Sequence, residues 1–173
     1  MKPGYAHKGT IENMSVTNWI SVLVFLSSAA VCQVPPVLTV QGINGDTVTV
    51  SAADLARLPQ QTVKTIDHGT PVIFEGVLLT DVLAKVALPI GEKYHSTAAS
   101  YYLLVEAKDG YRAVFAWAEL DSSFLDKAVY LVTSRDAKPL SDKDGPFELV
   151  VPGEKRNARW VRQLRTLTIK RGI

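Results

Sequence analysis

A single cysteine, Cys32, occurs among the 173 residues, and it stands near the amino end. An internal disulfide is therefore excluded, and no zinc site built from several thiolates can form. The net charge is only +2, without the basic surplus of nucleic-acid-binding modules, so no nucleic-acid partner is expected. No apolar run reaches the roughly 18 to 20 residues that span a bilayer. Gly-x-Ser-x-Gly, P-loop and His-Glu-x-x-His patterns are missing, as are internal repeats, and His68 and His95 stand alone. What is present, 47% hydrophobic and 21% charged residues, suits one well-buried domain and is too short for two substantial ones.

Trp19 to Val31 is apolar but shorter than a membrane span, and small residues follow it, as in the hydrophobic region of a secretory signal. Lys2 and Lys8 lie far upstream, which makes Met14 the expected start of that signal. An uncleaved anchor is the alternative. Ala30-Val31-Cys32 matches a lipid-attachment box poorly, and Pro35-Pro36 marks the start of a mature chain. The expected organisation is a signal peptide or N-terminal anchor over 1–32, a single domain over 33–173, and a periplasmic or exported location.

Val37 to Val40 and Thr47 to Val50 are β-rich runs around Asn44-Gly45, a dipeptide that tolerates the positive φ of a tight turn, so the domain is expected to open with a hairpin. Ser51 is a good N-cap for a helix over Ala52 to Leu58, with Asp54 in its first turn and Pro59 as its stop. Strands are expected at Thr62 to Ile66 and Val72 to Phe74. Leu79, Val82, Leu83 and Val86 recur at i, i+3, i+4 and i+7, the stripe of an amphipathic helix closed by Pro89. Ile90 to Ser100 reads as an exposed loop. A second hairpin is expected around Lys108-Asp109-Gly110, then a helical turn within Trp117 to Leu125 and strands at Ala128 to Val132, Phe147 to Val151 and Leu167 to Ile169. Hairpins with short inserted helices define an α+β class with a mixed, mostly antiparallel sheet.

The stretch from Gly145 to Trp160 stands apart chemically. An apolar run, Phe147 to Val151, breaks at Pro152-Gly153 and gives way to Lys155, Arg156 and Arg159. Read as a helix at about 100° per residue, Lys155 to Arg165 puts Arg156, Arg159 and Arg162 on one side and Trp160, Val161 and Leu164 on the other. Guanidinium groups presented from a rigid element fork onto oxyanions and carbonyl edges, which would make a ligand clamp. A solvated basic face over the end of a core helix is the competing reading, and composition alone favours it. Asp144, just before Gly145-Pro146, could accept two parallel N–H donors, as on the amino-pyrimidine edge of a pterin, with Glu119 the neighbouring alternative. Tyr111 and Trp160 could stack on a flat ring, although core packing is the better prior for the tryptophan. His68 lies in a turn between strands, where sites form, but a lone histidine is more often a hydrogen-bonded structural group.

The order of the motifs carries a resemblance. Phe74-Glu-Gly-Val-Leu-Leu-Thr-Asp-Val-Leu83, Asp109-Gly-Tyr111 with Glu119-Leu120, Gly145-Pro-Phe-Glu-Leu-Val-Val-Pro-Gly153 and Arg159-Trp-Val161 resemble the ordered motifs of the sulfite-oxidase-like molybdopterin-binding domain, from about Val37 to Ile169. The resemblance implies an α+β domain with a mixed sheet and a pterin pocket near the Pro152 to Arg159 loop, and it tips that loop towards the clamp. The ligand-binding residues expected on this basis are Asp144, Lys155, Arg156, Arg159, Trp160, Tyr111, His68 and Glu119. Enzymes of the family hold molybdenum partly through a protein cysteine ahead of the Phe74-Glu-Gly motif; here Thr65 to His68 has none, and Ile or Asp cannot supply thiolate chemistry. In export signal and missing cysteine the chain is more similar to small periplasmic proteins of this fold that bind a pterin without metal and regulate signalling partners. The expected function is a non-catalytic, exported pterin-binding module with a tetrahydropterin-like ligand, no metal, and a membrane signalling protein as partner. Two alternatives stand beside it: a molybdopterin-dependent oxidoreductase whose metal takes its ligands from cofactor and solvent, and a secreted interaction domain without ligand.

Overall fold

The computed structural model describes residues 35–86, 88 and 95–172. The segment 1–32, expected to be a signal peptide or anchor, lies outside the described residues. Among those described, no helix is long and apolar enough to cross a membrane.

The domain opens with β1 (Val37–Gln41) and β2 (Thr47–Ser51), paired antiparallel around Asn44-Gly45 as the turn dipeptide predicts. Gly45 sits at φ 82°, a left-handed conformation that costs glycine no Cβ clash. Ser51 caps α1 (Ala52–Leu55): its hydroxyl accepts from the Asp54 N–H, and the Asp54 carboxylate accepts from the Ser51 N–H, a reciprocal capping box. Those Ser51 bonds hold the Asp54 carboxyl below its ordinary value. The helix ends before Leu58, because the Gln60 side-chain amide donates to the carbonyls of Leu55 and Leu58 and closes it.

Next come β3 (Gln61–Asp67) and β4 (Thr70–Leu78), a hairpin turned by His68-Gly69, both at positive φ. In α2 (Leu79–Leu83) the predicted stripe buries Leu79, Val82 and Leu83, and Val86 is buried just beyond its end. A short α3 (His95–Ala98) falls inside the stretch read as a loop. The second hairpin joins β5 (Tyr101–Ala107) to β6 (Arg112–Ala116) and leads into α4 (Trp117–Leu120). Four more strands follow: β7 (Tyr130–Arg135), β8 (Lys138–Pro139), β9 (Glu148–Val150) and β10 (Leu164–Arg171).

The α+β class and the antiparallel bias hold, with the strands divided between two sheets. One runs β2-β1-β10-β5-β6, in which β1 and β10 are parallel; the other runs β3-β4-β7-β8, with β9 also paired to β7. Among the described strands every other pairing is antiparallel. A single apolar cluster, including Phe74, Phe115, Trp117, Phe147 and Leu167, forms the core.

The run Phe147 to Val151 is buried along its whole length, which explains its near-continuous apolar sequence. On one side β9 pairs with β7. On the other, Leu149 and Val161 exchange N–H···O bonds of 2.9 and 3.1 Å, and the Leu164 N–H donates to the Phe147 carbonyl at 2.8 Å before the chain continues into β10. This strand therefore ties the second sheet to a strand of the first.

Close backbone approach is also needed where β4 crosses β7 at the irregularity between Glu75 and Gly76. A Cβ on Gly76 would lie 2.2 Å from the Leu131 carbonyl oxygen and 2.6 Å from the Val132 Cα. Backbone atoms cannot yield without parting the strands, so Gly76→Ala is expected to cost about 1–3 kcal/mol, in the range of overpacked cores. Urea unfolding checks this; a midpoint equal to that of the parent would contradict the close β4–β7 contact.

Candidate functional site

Three connecting segments converge on one cavity: the β3–β4 turn with His68, the β5–β6 turn with Asp109 and Tyr111, and the chain between β9 and β10. The cavity measures about 280 Å³ and is lined by His68, Ala107, Asp109, Tyr111, Asn157, Ala158, Trp160 and Arg162. Ligand pockets run from roughly 300 to 1,000 Å³, so this one lies at the small end of that range and is too small for a dinucleotide. A larger cleft of about 760 Å³ lies across the Arg162-Gln163 peptide, bounded by Pro36, Leu140, Pro146, Phe147 and Gln163 among others. It includes none of the eight residues singled out in the sequence, and its charged members Lys108, Asp142 and Arg165 are exposed. The smaller cavity is where aromatic, amide and charged groups meet.

Tyr111 and Trp160 are both held in place by hydrogen bonds. The Tyr111 hydroxyl donates to the Ala158 carbonyl, and its N–H donates to Asp109 Oδ1 at 2.9 Å. The Trp160 indole is buried, donates from Nε1 to the Val151 carbonyl at 2.9 Å and meets the Phe74 ring edge-on, with centroids 5.7 Å apart. Trp160 is thus a core residue that lends one side to the cavity. His68, at φ 47°, is exposed, with its Nε2 3.7 Å from Asp67 Oδ1.

Two buried carboxylates stand behind this lining. Asp67 ends β3 in phase with Val63 on the inward face. Its Oδ2 accepts from Arg135 Nη1 at 2.7 Å and its Oδ1 from Asn157 Nδ2 at 2.8 Å, while the Arg135 guanidinium also lies over the Phe74 ring. Glu148 is only 2% exposed, and its Oε2 has no hydrogen-bond partner among the described residues. Arg162 Nε lies 3.2 Å from Asp144 Oδ1 and 3.7 Å from Glu148 Oε1. Burial pushes the Glu148 carboxyl up to about 7; Asp144 and Asp67 add to the push, and Arg162 and Arg135 oppose it.

Of the residues singled out in the sequence, His68, Tyr111 and Trp160 line the cavity, and Asp144 adjoins it through Arg162. Arg159 and Glu119 are occupied with each other. Arg159 Nη1 donates to Glu119 Oε2 at 2.8 Å, its Nε and Nη2 both reach Glu154 Oε1, and its guanidinium stacks 4.6 Å from the Phe115 centroid. Lys127 completes the cluster on Glu154 at 2.8 Å. Burial pushes the Glu154 carboxyl up, but its bonds from Arg159 and Lys127 outweigh that and hold it below its ordinary value; burial likewise opposes the charge on Arg159, whose bonds to Glu154 and Glu119 hold its pKa above the ordinary value. Lys155 and Arg156 are exposed and outside the lining.

The amphipathic helix expected over Lys155 to Arg165 does not form. Only Asn157–Arg159 makes a 3₁₀ turn, because Trp160 is extended, Val161 bridges to Leu149, and Gln163 at φ 47° redirects the chain into β10. Arg159 and Arg162 therefore reach different carboxylates instead of sharing one face. Sequence reasoning did not single out Asp67, Glu148 or Asn157, and the solvated surface position that a carboxylate takes by default is wrong for Glu148, which is 2% exposed. Two of these left a signal: Asp67 falls in phase with inward residues of its strand, and Glu148 interrupts an apolar run. Asn157 left none.

The α+β arrangement with mostly antiparallel sheets and short inserted helices agrees with the class expected from the sequence. Among solved structures the chain is similar to the sulfane dehydrogenase SoxCD from Paracoccus pantotrophus, with a TM-score of 0.60 and 19% identity over 78% of this chain and 38% of that one. The chain spans well under half the length of that protein, and the likeness is one of fold. No family model and no curated protein sequence matches.

The resemblance carried by the ordered motifs implies molybdopterin, and the described residues do not fit a thiolate-held molybdenum. The described residues contain no cysteine, and among them no three His, Cys, Asp or Glu side chains gather as a metal-binding group. The one guanidinium in the lining, Arg162, is already set against two carboxylates, which leaves no surplus cation there for a cofactor phosphate.

The raised Glu148 carboxyl makes stability depend on pH. Its folded value of about 7 lies above its ordinary 4.5, so the native state holds the proton more tightly, and stability is lost as pH climbs from about 5 to 7. Glu148→Gln removes this loss and should gain up to about 3 kcal/mol over the parent by pH 8. Denaturant midpoints of both proteins at pH 5 and pH 8 check this; equal pH dependence would contradict it.

Proposed function

We propose that the chain is an exported, non-catalytic pterin-binding module whose occupancy is read by a membrane signalling partner. The side chains lining the cavity support this reading: the tethered Tyr111 ring, one side of the buried Trp160, the exposed His68 imidazole, one guanidinium already shared with Asp144, one carboxamide and a carboxylate, with no thiolate among them. A reduced pterin is a flat bicycle with N–H donors on its amino-pyrimidine edge and a carbonyl beside them. In the proposed pose Tyr111 offers its ring face, Arg162 donates to the carbonyl, and Asp109 accepts from the amino-pyrimidine edge, with Asp144 one step back holding Arg162. Export is supported by the Trp19 to Val31 run, and the signalling partner by the resemblance to small periplasmic pterin binders.

A molybdopterin-dependent oxidoreductase is the second reading, favoured by the likeness in fold to a sulfane dehydrogenase. It would need a phosphate-binding group of cations, and the cations nearest the loop are either paired, as Arg159 is, or exposed outside the cavity, as Lys155 and Arg156 are.

Anaerobic calorimetry with tetrahydrobiopterin separates the cavity from the outer face of the loop. Arg162→Ala and Tyr111→Ala are each expected to weaken binding about tenfold or more, the loss of a charge-assisted bond or a stacking face. Arg159→Ala should lower thermal stability and leave affinity in place. The reverse pattern, with affinity lost in Arg159→Ala and kept in Arg162→Ala, would move the site out of the cavity.

A further inference from the structure

Glu148 has no part in the ligand contacts above, yet it sits directly behind them. It lies on a strand buried along its length, one of its oxygens lacks a partner among the described residues, and the other faces Arg162 Nε at 3.7 Å. Arg162 is 47% exposed, lines the cavity, and is shared with Asp144 at 3.2 Å. The charged groups acting on Glu148 are Arg162, Arg135, Asp144 and Asp67, two cations against two carboxylates. The cluster is balanced while Glu148 is neutral and carries one excess negative charge once it ionises. Of the two cations, Arg135 is fixed by its 2.7 Å bond to Asp67. Arg162 is the one with freedom to answer that charge.

We propose that Glu148 is a positioning residue of the ligand site: its proton decides whether Arg162 serves the cavity or the buried cluster, so that ligand binding takes up a proton. With Glu148 neutral, only Asp144 holds the guanidinium, and the cavity can draw it in. With Glu148 ionised, the unpaired buried charge pulls the guanidinium back, since an uncompensated carboxylate in such a place is costly. A ligand carbonyl that engages Arg162 removes the cation from Glu148, and the carboxyl keeps its proton. Burial brings this titration to about 7, so a modest change in pH shifts the population of the competent state.

The ligand rests on the pterin reading, whereas the positioning role does not, and the two are tested separately. Tetrahydrobiopterin affinity is measured anaerobically at pH 6 and pH 8 in the parent and in Glu148→Gln. If only the neutral form binds well, the parent weakens by about tenfold between those values, the ratio of competent fractions, while Glu148→Gln stays near the parent's pH 6 affinity at both. The ligand's own titration is common to both proteins, so their difference belongs to Glu148. An equal decline in both proteins overturns the proposal and leaves the ligand intact. In the ligand-free protein, the Arg162 Nε–H resonance should titrate with a midpoint near 7 in the parent and stay constant in Glu148→Gln. Absence of that titration overturns the positioning role. If tetrahydrobiopterin binds neither protein, the pterin reading falls and the Arg162 titration alone decides the role of Glu148.

Discussion

A strand with hydrogen bonds on both edges and no exposed face is the constraint on which the rest of the domain depends. Phe147 to Val151 is paired to β7 on one side and to Val161 and Leu164 on the other, so it lies where the two sheets are joined. Its side chains must be apolar, and the one exception, Glu148, is held in a place that disfavours its charge. The same pairing draws the chain between β9 and β10 alongside the core, which seats Trp160 against Phe74 and brings Arg162 beside Asp144. Core packing and site geometry are here two consequences of one pairing.

That connecting chain is short on regular structure and rich in anchors. Asn157 is held by Asp67, the Ala158 carbonyl by the Tyr111 hydroxyl, Arg159 by Glu119 and Glu154, and the Trp160 indole by the Val151 carbonyl. Four consecutive residues pinned to four different parts of the fold leave little freedom to lose when a ligand arrives. The anchoring also consumes charge: Arg159 and Lys127 neutralise Glu154, and Arg135 neutralises Asp67. What faces the cavity is a single shared guanidinium, the Asp109 carboxylate and neutral hydrogen-bonding groups.

Local order was legible in the residues. Asn44-Gly45 and Lys108-Asp109-Gly110 marked the turns of two hairpins, and the stripe from Leu79 to Val86 marked buried positions around a helix, because each depends on short-range sterics or periodicity. Division into two sheets was not legible, since β10 joins β1 and β5, which both end more than fifty residues earlier in the chain, and no local signal records that. The cationic loop misled for a related reason. Trp160, Val161 and Leu164 are buried by strand pairing, yet their spacing imitates a helical face. The fate of Arg159 hung on Glu119, forty residues away, whose approach only the folded chain reveals. Glu148 and Asp67 were within reach: a carboxylate in phase with buried neighbours is a polar group that must find a partner or shed its charge.

Purifying the protein anaerobically from its native cells, and measuring bound pterin and molybdenum on the same sample, tests the central claim most directly. Pterin with molybdenum far below stoichiometric is the predicted result. Pterin accompanied by near-stoichiometric molybdenum would contradict it and make the oxidoreductase the correct reading.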